Sequence, residues 1–238
     1  MNNKARIGAI ALAAAAMTGC ATTNNNANDP LEGFNRAMFS FNDTVDTYAL
    51  KPAAQAYDAV VPNPVQTGVG NFFGNIGDLW SSVNQLLQGR VEQGVSTFMR
   101  VAINTTFGLG GVLDVATEAR LPREKSDFGQ TLGKWGVGSG PYVVLPFFGP
   151  STVRDTAGLP VDLYGDLWTY KRPTRWRNVG SVIRVVDRRA QLLDASTLLE
   201  DAALDKYDFV RDAYLQRRQS QISGGSAGKE QKEEAIKP

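Results

Sequence analysis

Apolar residues recur at alternating steps of three and four along most of this chain. One such series runs through Leu31, Phe34, Met38, Phe41, Val45 and Tyr48. Comparable series cover residues 65–86, 91–106 and 176–193. This spacing places the apolar side chains on one face of an α-helix, and Gly and Pro clusters separate the series. The sequence therefore predicts a mainly α fold built from amphipathic helices.

The helix boundaries are predicted from capping residues and prolines. Asp29 and Glu32 form an Asp-x-x-Glu variant of the capping box, with Pro30 suited to the first turn. We therefore predict a helix that begins there and ends at Lys51-Pro52. The apolar stretch 142–148 contains Pro146, so it is predicted to be a connector and not a central strand.

The N-terminus has the layout of a secretory signal. Lys4 and Arg6 precede an apolar run of 7–17, which is too short to span a bilayer. The following Met17-Thr18-Gly19-Cys20 resembles the bacterial lipobox and contains the only cysteine. We expect residues 1–19 to be a signal peptide and Cys20 to carry a diacylglycerol and an N-acyl group. The alternative is an ordinary signal peptide with an incidental buried cysteine.

The remaining chain divides into three predicted regions. Residues 20–28 form a polar tether that starts at the lipidated Cys20, residues 29–219 form one helical domain, and residues 220–238 form a disordered tail. Ala21 after the cysteine resembles the export signal of outer-membrane lipoproteins. We therefore expect a lipid-anchored protein on the periplasmic side of the outer membrane.

Composition excludes several classes of function. The chain has 25 Lys and Arg against 24 Asp and Glu, so it lacks the basic excess of a nucleic-acid binder. It has no histidine, the commonest general base and metal ligand. Gly129 to Lys134 resembles a P-loop, but its spacing is one residue short and Trp135 replaces the required Ser or Thr. We predict no catalytic residues, no metal site and no enzyme activity.

Two groups of glycines have alternative interpretations. Gly70, Gly74 and Gly77 share one helix face, which would admit either a second helix or an acyl chain. The connection formed by Gly108, Leu109, Gly110 and Gly111 is either a plain turn between helices or a hinge beside a functional opening.

The most basic part of the chain lies between residues 171 and 190. Its cations share a helix with an apolar stripe that includes Trp176, Val179 and Ile183. The basic face either contacts phosphate headgroups or is simply solvated. The headgroup candidates are Arg175, Arg177 and Arg184.

Several motifs in order along the chain resemble one family, the MlaA (VacJ) lipoproteins. They are DPLEGFNRAMFSFN (29–42), NTTFGLGG (104–111), FGQTLG (128–133), GPY (140–142) and RAQLLD (189–194). The similarity covers residues 29–218. It implies a ring-shaped bundle of amphipathic helices, lying in the inner leaflet of the outer membrane around a central amphipathic channel.

The resemblance also implies a function and partners. Family members associate with trimeric porins and pass mislocalised phospholipids from the outer leaflet to a periplasmic lipid-binding protein, which maintains lipid asymmetry. On this basis the candidates for the channel wall are Asn35, Arg36, Phe39, Phe41 and Asn42. Residues 108–111 are then a candidate for a movable element at the channel. The helix predicted at 205–219 is a candidate docking site for the periplasmic carrier. The alternatives are a lipoprotein that only scaffolds porins and a phospholipase.

Overall fold

The computed structural model describes residues 29–223. The predicted signal peptide (1–19), the tether with Cys20 (20–28) and positions 224–238 of the predicted tail lie outside the described residues. The fold is mainly α, as predicted. Its helices are α1 (Glu32–Val45), α2 (Lys51–Val60), α3 (Asn63–Leu87), α4 (Val91–Thr106), α5 (Val115–Glu118), α6 (Phe128–Lys134), α7 (Val153–Gly165), α8 (Thr174–Ala190), α9 (Leu193–Ala202) and α10 (Lys206–Ser223).

The start of α1 differs from the predicted capping box. Leu31 occupies the N-cap position and no side chain caps the helix. Asp29 is instead completely buried, where it accepts hydrogen bonds from Asn35 Nδ2 (2.8 Å) and the Tyr207 hydroxyl. The carboxylate therefore connects the beginning of the domain to α10.

Pro52 does not end the first helix. A π-helical turn, Asp46–Leu50, joins α1 to α2, and the backbone stays helical through Lys51. Pro52 lies just after the π-turn, and proline commonly accompanies an irregularity in a helix. The two predicted helices are therefore one continuous rod with a π-turn between them.

The predicted connector contains a small sheet. Strand β1 (Tyr142–Leu145) pairs antiparallel with β2 (Gly149–Thr152), in a register that sets Tyr142 opposite Thr152 and Leu145 opposite Gly149. Two positive backbone angles at the turn, φ +64° at Phe147 and φ +79° at Gly149, reverse the chain. At the other end of the domain α10 extends to Ser223, four residues past the predicted end of the helical domain at residue 219.

The buried faces of the long helices are polar. In α3 the buried side chains include Asn75, Asp78 and Gln85, whereas Val65 and Leu86 are exposed. The same inversion occurs in α4. There Thr97, Arg100 and Asn104 are buried, whereas Val91, Val95 and Phe98 are exposed. The apolar stripes that predicted the helices therefore point outward.

The apolar core is correspondingly small. It centres on Tyr142, Val144 and Tyr207, with Phe39 and Tyr214 packed beside them. This cluster joins α1, the hairpin and α10. A protein that buries polar groups and exposes apolar faces suits surroundings of low polarity, because water makes large exposed apolar patches unfavourable.

The elements close into a ring. Helix α3 contacts α8, α8 contacts α2, and α2 continues α1, which contacts β1. Strand β2 then contacts α7, α7 contacts α6, and α6 returns to α3. Helix α10 contacts both α6 and β2, while α4 packs along α3. This circuit is the predicted ring-shaped bundle.

Candidate functional site

The ring surrounds a cavity of about 1080 Å³. Its wall combines side chains from α3, α7, α8 and α10 with the segment 123–127 and the turn of the hairpin. Apolar side chains contribute to this wall beside charged ones, and they include Phe73, Leu145, Phe148 and Leu159. The cavity is therefore amphipathic.

The glycine stripe of α3 borders this cavity. A Cβ at Gly70 would lie 2.7 Å from Gln191 Nε2, and one at Gly74 would lie 2.6 Å from Arg123 Nη1. At Gly77 the only neighbour would be Arg184 Nη2, at 4.0 Å. The glycines therefore make room for polar side chains that extend from other walls, those of Arg184 and Gln191 from α8 and its C-terminal end.

Hydrogen-bond donors of the protein hold the carboxylates of the wall. Arg218 joins three helices, because it donates to both oxygens of Asp127 (2.6 and 2.8 Å) and to Asp155 (2.9 Å). Burial acts to raise the pKa of Asp155. Bonds from Arg218 and Tyr214 nevertheless hold that pKa below its ordinary value.

Besides Asp78, two other carboxylates of the wall have pKa values that burial raises. Burial raises the pKa of Asp162, although Trp80 Nε1 donates to it at 2.7 Å and the Phe128 N–H at 2.8 Å. Burial also raises the pKa of Asp187, against a 3.0 Å bond from the Tyr57 hydroxyl. These groups fix α7 to α3 and α8 to α2, so they stabilise the ring.

The cations of the wall fall into two groups. Arg123 donates to Asp78 at 2.9 Å, and Arg184 pairs with Asp166. Lys125 and Arg188 also line the cavity, but within residues 29–223 neither side chain makes a hydrogen bond or ion pair. The cavity thus contains positive charge that is available to a ligand.

Comparison with known proteins places this architecture in a family. The family model described as MlaA lipoprotein matches residues 27–221. The chain belongs to the MlaA lipoprotein family. The MlaA match extends over almost all of the described residues, so it includes every element of the ring.

Named MlaA relatives are similar over nearly their whole length. Intermembrane phospholipid transport system lipoprotein MlaA of Shigella flexneri is 41% identical, over 93% of this chain and 90% of its own. The protein of the same name from Escherichia coli K12 is 40% identical over the same shares. That from Haemophilus influenzae is 37% identical, over 90% of this chain and 89% of its own.

A solved structure has the same fold. It comes from work on the structural basis for maintenance of bacterial outer membrane lipid asymmetry. Its TM-score is 0.70 at 43% identity, covering 80% of this chain and 96% of that one. Among residues 29–223 we find no helix with the length and apolar character needed to cross a bilayer.

The structure places Asn35 and Asn42 away from the cavity wall of this MlaA-family protein. Asn35 Nδ2 donates to the Tyr142 carbonyl (3.0 Å), and its Oδ1 accepts from the Val144 N–H (2.9 Å). Two turns later, Asn42 Nδ2 donates to the Leu145 carbonyl (2.9 Å), and Asn42 Oδ1 accepts from the Phe147 N–H (2.8 Å). The two amides attach α1 to the hairpin. The prediction that they border the channel is therefore wrong for this cavity.

The other three channel candidates also have contacts elsewhere. Arg36 pairs with Glu32 and with Asp205, and its guanidinium lies 4.4 Å from the centre of the Tyr207 ring. Phe39 packs edge-on against Tyr207, and Phe41 against the exposed Phe147. These side chains dock α1 onto α10 and the hairpin, and none of them lines the cavity.

The hinge candidates form a closed turn outside the cavity wall. The Gly111 N–H donates to the Asn104 carbonyl (2.9 Å), and the Leu113 N–H donates to the Gly108 carbonyl (2.9 Å). Leu109, with φ +53°, projects into the surroundings, and none of residues 108–111 borders the cavity. A hinge role for this turn stays a prediction.

The turn gives a testable pair of substitutions. Gly111 has φ +94°, and a Cβ there would lie 2.6 Å from Asn75 Nδ2. We expect Gly111→Ala to lower the free energy of unfolding by roughly 2 kcal/mol or more, from backbone strain and the clash together.

Gly110 is the matched control for this substitution. Its φ is +71°, but nothing lies within 4 Å of its Cβ position. Gly110→Ala should therefore lower the free energy of unfolding by only about 1 kcal/mol, which is the cost of placing a residue with a Cβ in a left-handed conformation. Chemical denaturation followed by circular dichroism measures both variants. A loss at Gly110 as large as that at Gly111 would show that Asn75 does not restrict the turn.

The three headgroup candidates separate in the structure. Arg184 lines the cavity, where it pairs with Asp166. Arg175 lies outside, 4.9 Å from the Trp176 ring centre, and Arg177 donates to the Thr169 carbonyl (3.2 Å). Sequence reasoning missed Lys125 and Arg218, because nothing local to either residue shows that it faces a cavity.

Proposed function

We propose that this protein is an outer-membrane lipoprotein that removes mislocalised phospholipids from the outer leaflet and passes them to a periplasmic lipid carrier. The amphipathic cavity inside an apolar-surfaced ring is the observation that supports this proposal most strongly. The names of the MlaA relatives, which describe intermembrane phospholipid transport, agree with it.

The cavity has the chemistry that a phospholipid requires. Moving a charged headgroup through hydrocarbon is costly unless polar groups replace its water. Lys125, Arg188 and the hydrogen-bonded carboxylates supply those groups, while Phe73 and Leu159 offer apolar contact to acyl chains. The sequence contains no nucleotide-binding motif, so we propose passive movement without a chemical step.

The outer surface agrees with a position half-immersed in lipid. Val91, Val95 and Phe98 of α4, and Trp176, Val182 and Val185 of α8, are exposed. Helices satisfy their own backbone groups, so such faces can lie in a leaflet without spanning it. We propose that acyl chains on Cys20 hold the protein there, on the periplasmic side of the outer membrane.

The proposed partners follow from the same function. They are phospholipids, a trimeric outer-membrane porin and a periplasmic lipid-binding protein of the Mla pathway. Helix α10 remains our candidate for docking the carrier, since most of its polar side chains outside the ion pairs are exposed.

Clearance of a labelled phospholipid tests the proposal. The lipid is placed in the outer leaflet of cells that contain or lack the protein, with porin levels matched. We expect rapid loss of label only when the protein is present. Equal clearance in both strains would instead favour a porin scaffold. Release of free fatty acid by the purified protein would indicate a phospholipase.

A further inference from the structure

A second cavity lies next to the first. It has a volume of about 540 Å³ and is lined by residues that include Arg90, Glu124, Gln130 and Arg217. Arg123 and Lys125 belong to the walls of both cavities. The segment that carries them therefore forms the boundary between the two cavities.

Two of the cations around this boundary have a carboxylate partner. Arg90 pairs with Glu124 at 2.6 Å, and Arg123 pairs with Asp78 at 2.9 Å. The side chains of Lys125, Arg188 and Arg217 have no hydrogen-bond or ion-pair partner in the described part of the chain. Arg188 borders the large cavity and Arg217 the smaller one, so Lys125 has an unpaired cation on each side.

Lys125 is exposed to both cavities and lies among mainly positive charges. Partial desolvation lowers its pKa, and the charges of Arg188, Arg123 and Arg217 lower it further, while Asp78 opposes them. A bound anion would relieve this repulsion. Within residues 29–223 no carboxylate lies within ion-pair distance of the Lys125 ammonium, although the charge of Asp78 acts on it from further away.

We propose that Lys125 and Arg188, with Arg217 beyond them, bind the phosphate of a phospholipid headgroup where the two cavities meet. This inference rests on the proposed function and names the residues that receive the headgroup. Lysine serves as a compact point charge for phosphate, and arginine adds directed N–H donors.

The surroundings favour a lipid phosphate over a free phosphate ion. The large cavity greatly exceeds the volume of a phosphate ion, and Phe73, Phe148, Leu159 and Leu163 contribute apolar surface to its wall. A phosphodiester with acyl chains would use both parts of this wall. Free phosphate would use only the cations.

The test measures binding of dihexanoylphosphatidylglycerol to the full lipoprotein in dodecyl maltoside micelles, by isothermal titration calorimetry. We expect Lys125→Gln combined with Arg188→Gln to weaken binding about tenfold or more, because charge-assisted bonds to the phosphate are lost. Lys125→Arg should stay close to the unaltered protein.

A matched control removes equal charge outside both cavities. Lys134 and Lys171 are exposed and border neither cavity, so Lys134→Gln combined with Lys171→Gln should leave binding unchanged. Circular dichroism verifies that all variants are folded. Undiminished binding by the Lys125 and Arg188 variant, or equal weakening by the control, would overturn the proposal.

Further probes distinguish the sources of phosphate. Dihexanoylglycerol, which has no phosphate, should bind all variants alike, and glycerol 3-phosphate should bind more weakly than the lipid. Glycerol 3-phosphate binding as tight as the lipid would overturn the lipid assignment.

Clearance of labelled phospholipid by the unaltered protein is measured in parallel. If the unaltered protein clears lipid normally but the Lys125 and Arg188 variant binds lipid as tightly as the unaltered protein does, the proposed headgroup site is wrong and the proposed function stands.

Discussion

Replacing Arg100 by leucine is expected to lower the free energy of unfolding by about 3–5 kcal/mol. The Arg100 side chain is completely buried. Its Nη2 donates to both oxygens of Asp114 at 2.9 Å, and its Nη1 donates to Thr117 Oγ1 and to the Leu121 carbonyl. Asp78 lies 3.8 Å from its Nε. Leucine would leave these acceptors and charges without their donor.

The control for this loss is an ion pair nearer the surface. Arg90 and Glu124 are 2.6 Å apart, but 42% of the Glu124 side chain is exposed. We expect Arg90→Leu to lower the free energy of unfolding by about 1 kcal/mol or less, because solvent screens such pairs. Guanidinium unfolding in detergent, followed by circular dichroism, compares the two. Equal losses would show that the Arg100 network does not hold α4 to the segment 114–121.

Replacing Gly77 by tryptophan is expected to reduce phospholipid clearance tenfold or more without unfolding the protein. Gly77 lies in the wall of the large cavity, and only Arg184 Nη2 comes within 4.0 Å of its Cβ position. The helix admits a side chain there, since glycine is itself unfavourable in a helix interior by up to about 1 kcal/mol. The indole would project into the space through which we propose that lipid passes.

The matched control places the same side chain on the outside of the same helix. Val83 of α3 is partly exposed and does not line the cavity. Val83→Trp should therefore leave clearance near its normal rate. The assay is the labelled-lipid clearance described above, with protein levels matched. Normal clearance by the Gly77 variant would mean that lipid does not move through this cavity.

The helices were predictable from sequence, but the direction of their faces was not. The spacing of Val65, Val83 and Leu86 predicts a helix whichever way its apolar face points. The structure turns that face outward and buries Asn75 and Asp78. Periodicity measures the separation of polar and apolar residues, and it contains no information about which side meets lipid.

Long-range contacts explain where local rules failed. Asp29 has the position of a helix cap, but a tyrosine hydroxyl on α10 and the amide of Asn35 compete for its carboxylate. Asn35 and Asn42 resemble polar groups of a channel, but they bind the backbone of a hairpin that is about a hundred residues away in sequence. Hydrogen-bond partners so distant in sequence are set by the tertiary fold, and local sequence patterns do not identify them.

The candidate site was predictable only in part. The glycine stripe on α3 did indicate an unusual helix face, and that face borders the cavity. Lys125 lies in a stretch that reads as an ordinary polar loop. Its significance comes from Arg188 and Arg217, which approach it from α8 and α10 and so depend on the tertiary fold.

The burial of Asp29 bears on the proposed membrane anchor. Asp29 is bound to Tyr207, so the polypeptide enters the domain at a fixed point beside α10. Nine residues, Cys20 to Asn28, precede it in the sequence, and at roughly 3.3–3.6 Å per residue they can span at most about 30 Å. With acyl chains on Cys20, as we propose, the α10 side of the ring would stay close to the leaflet that holds them, and the ring would have little freedom to tumble away from it.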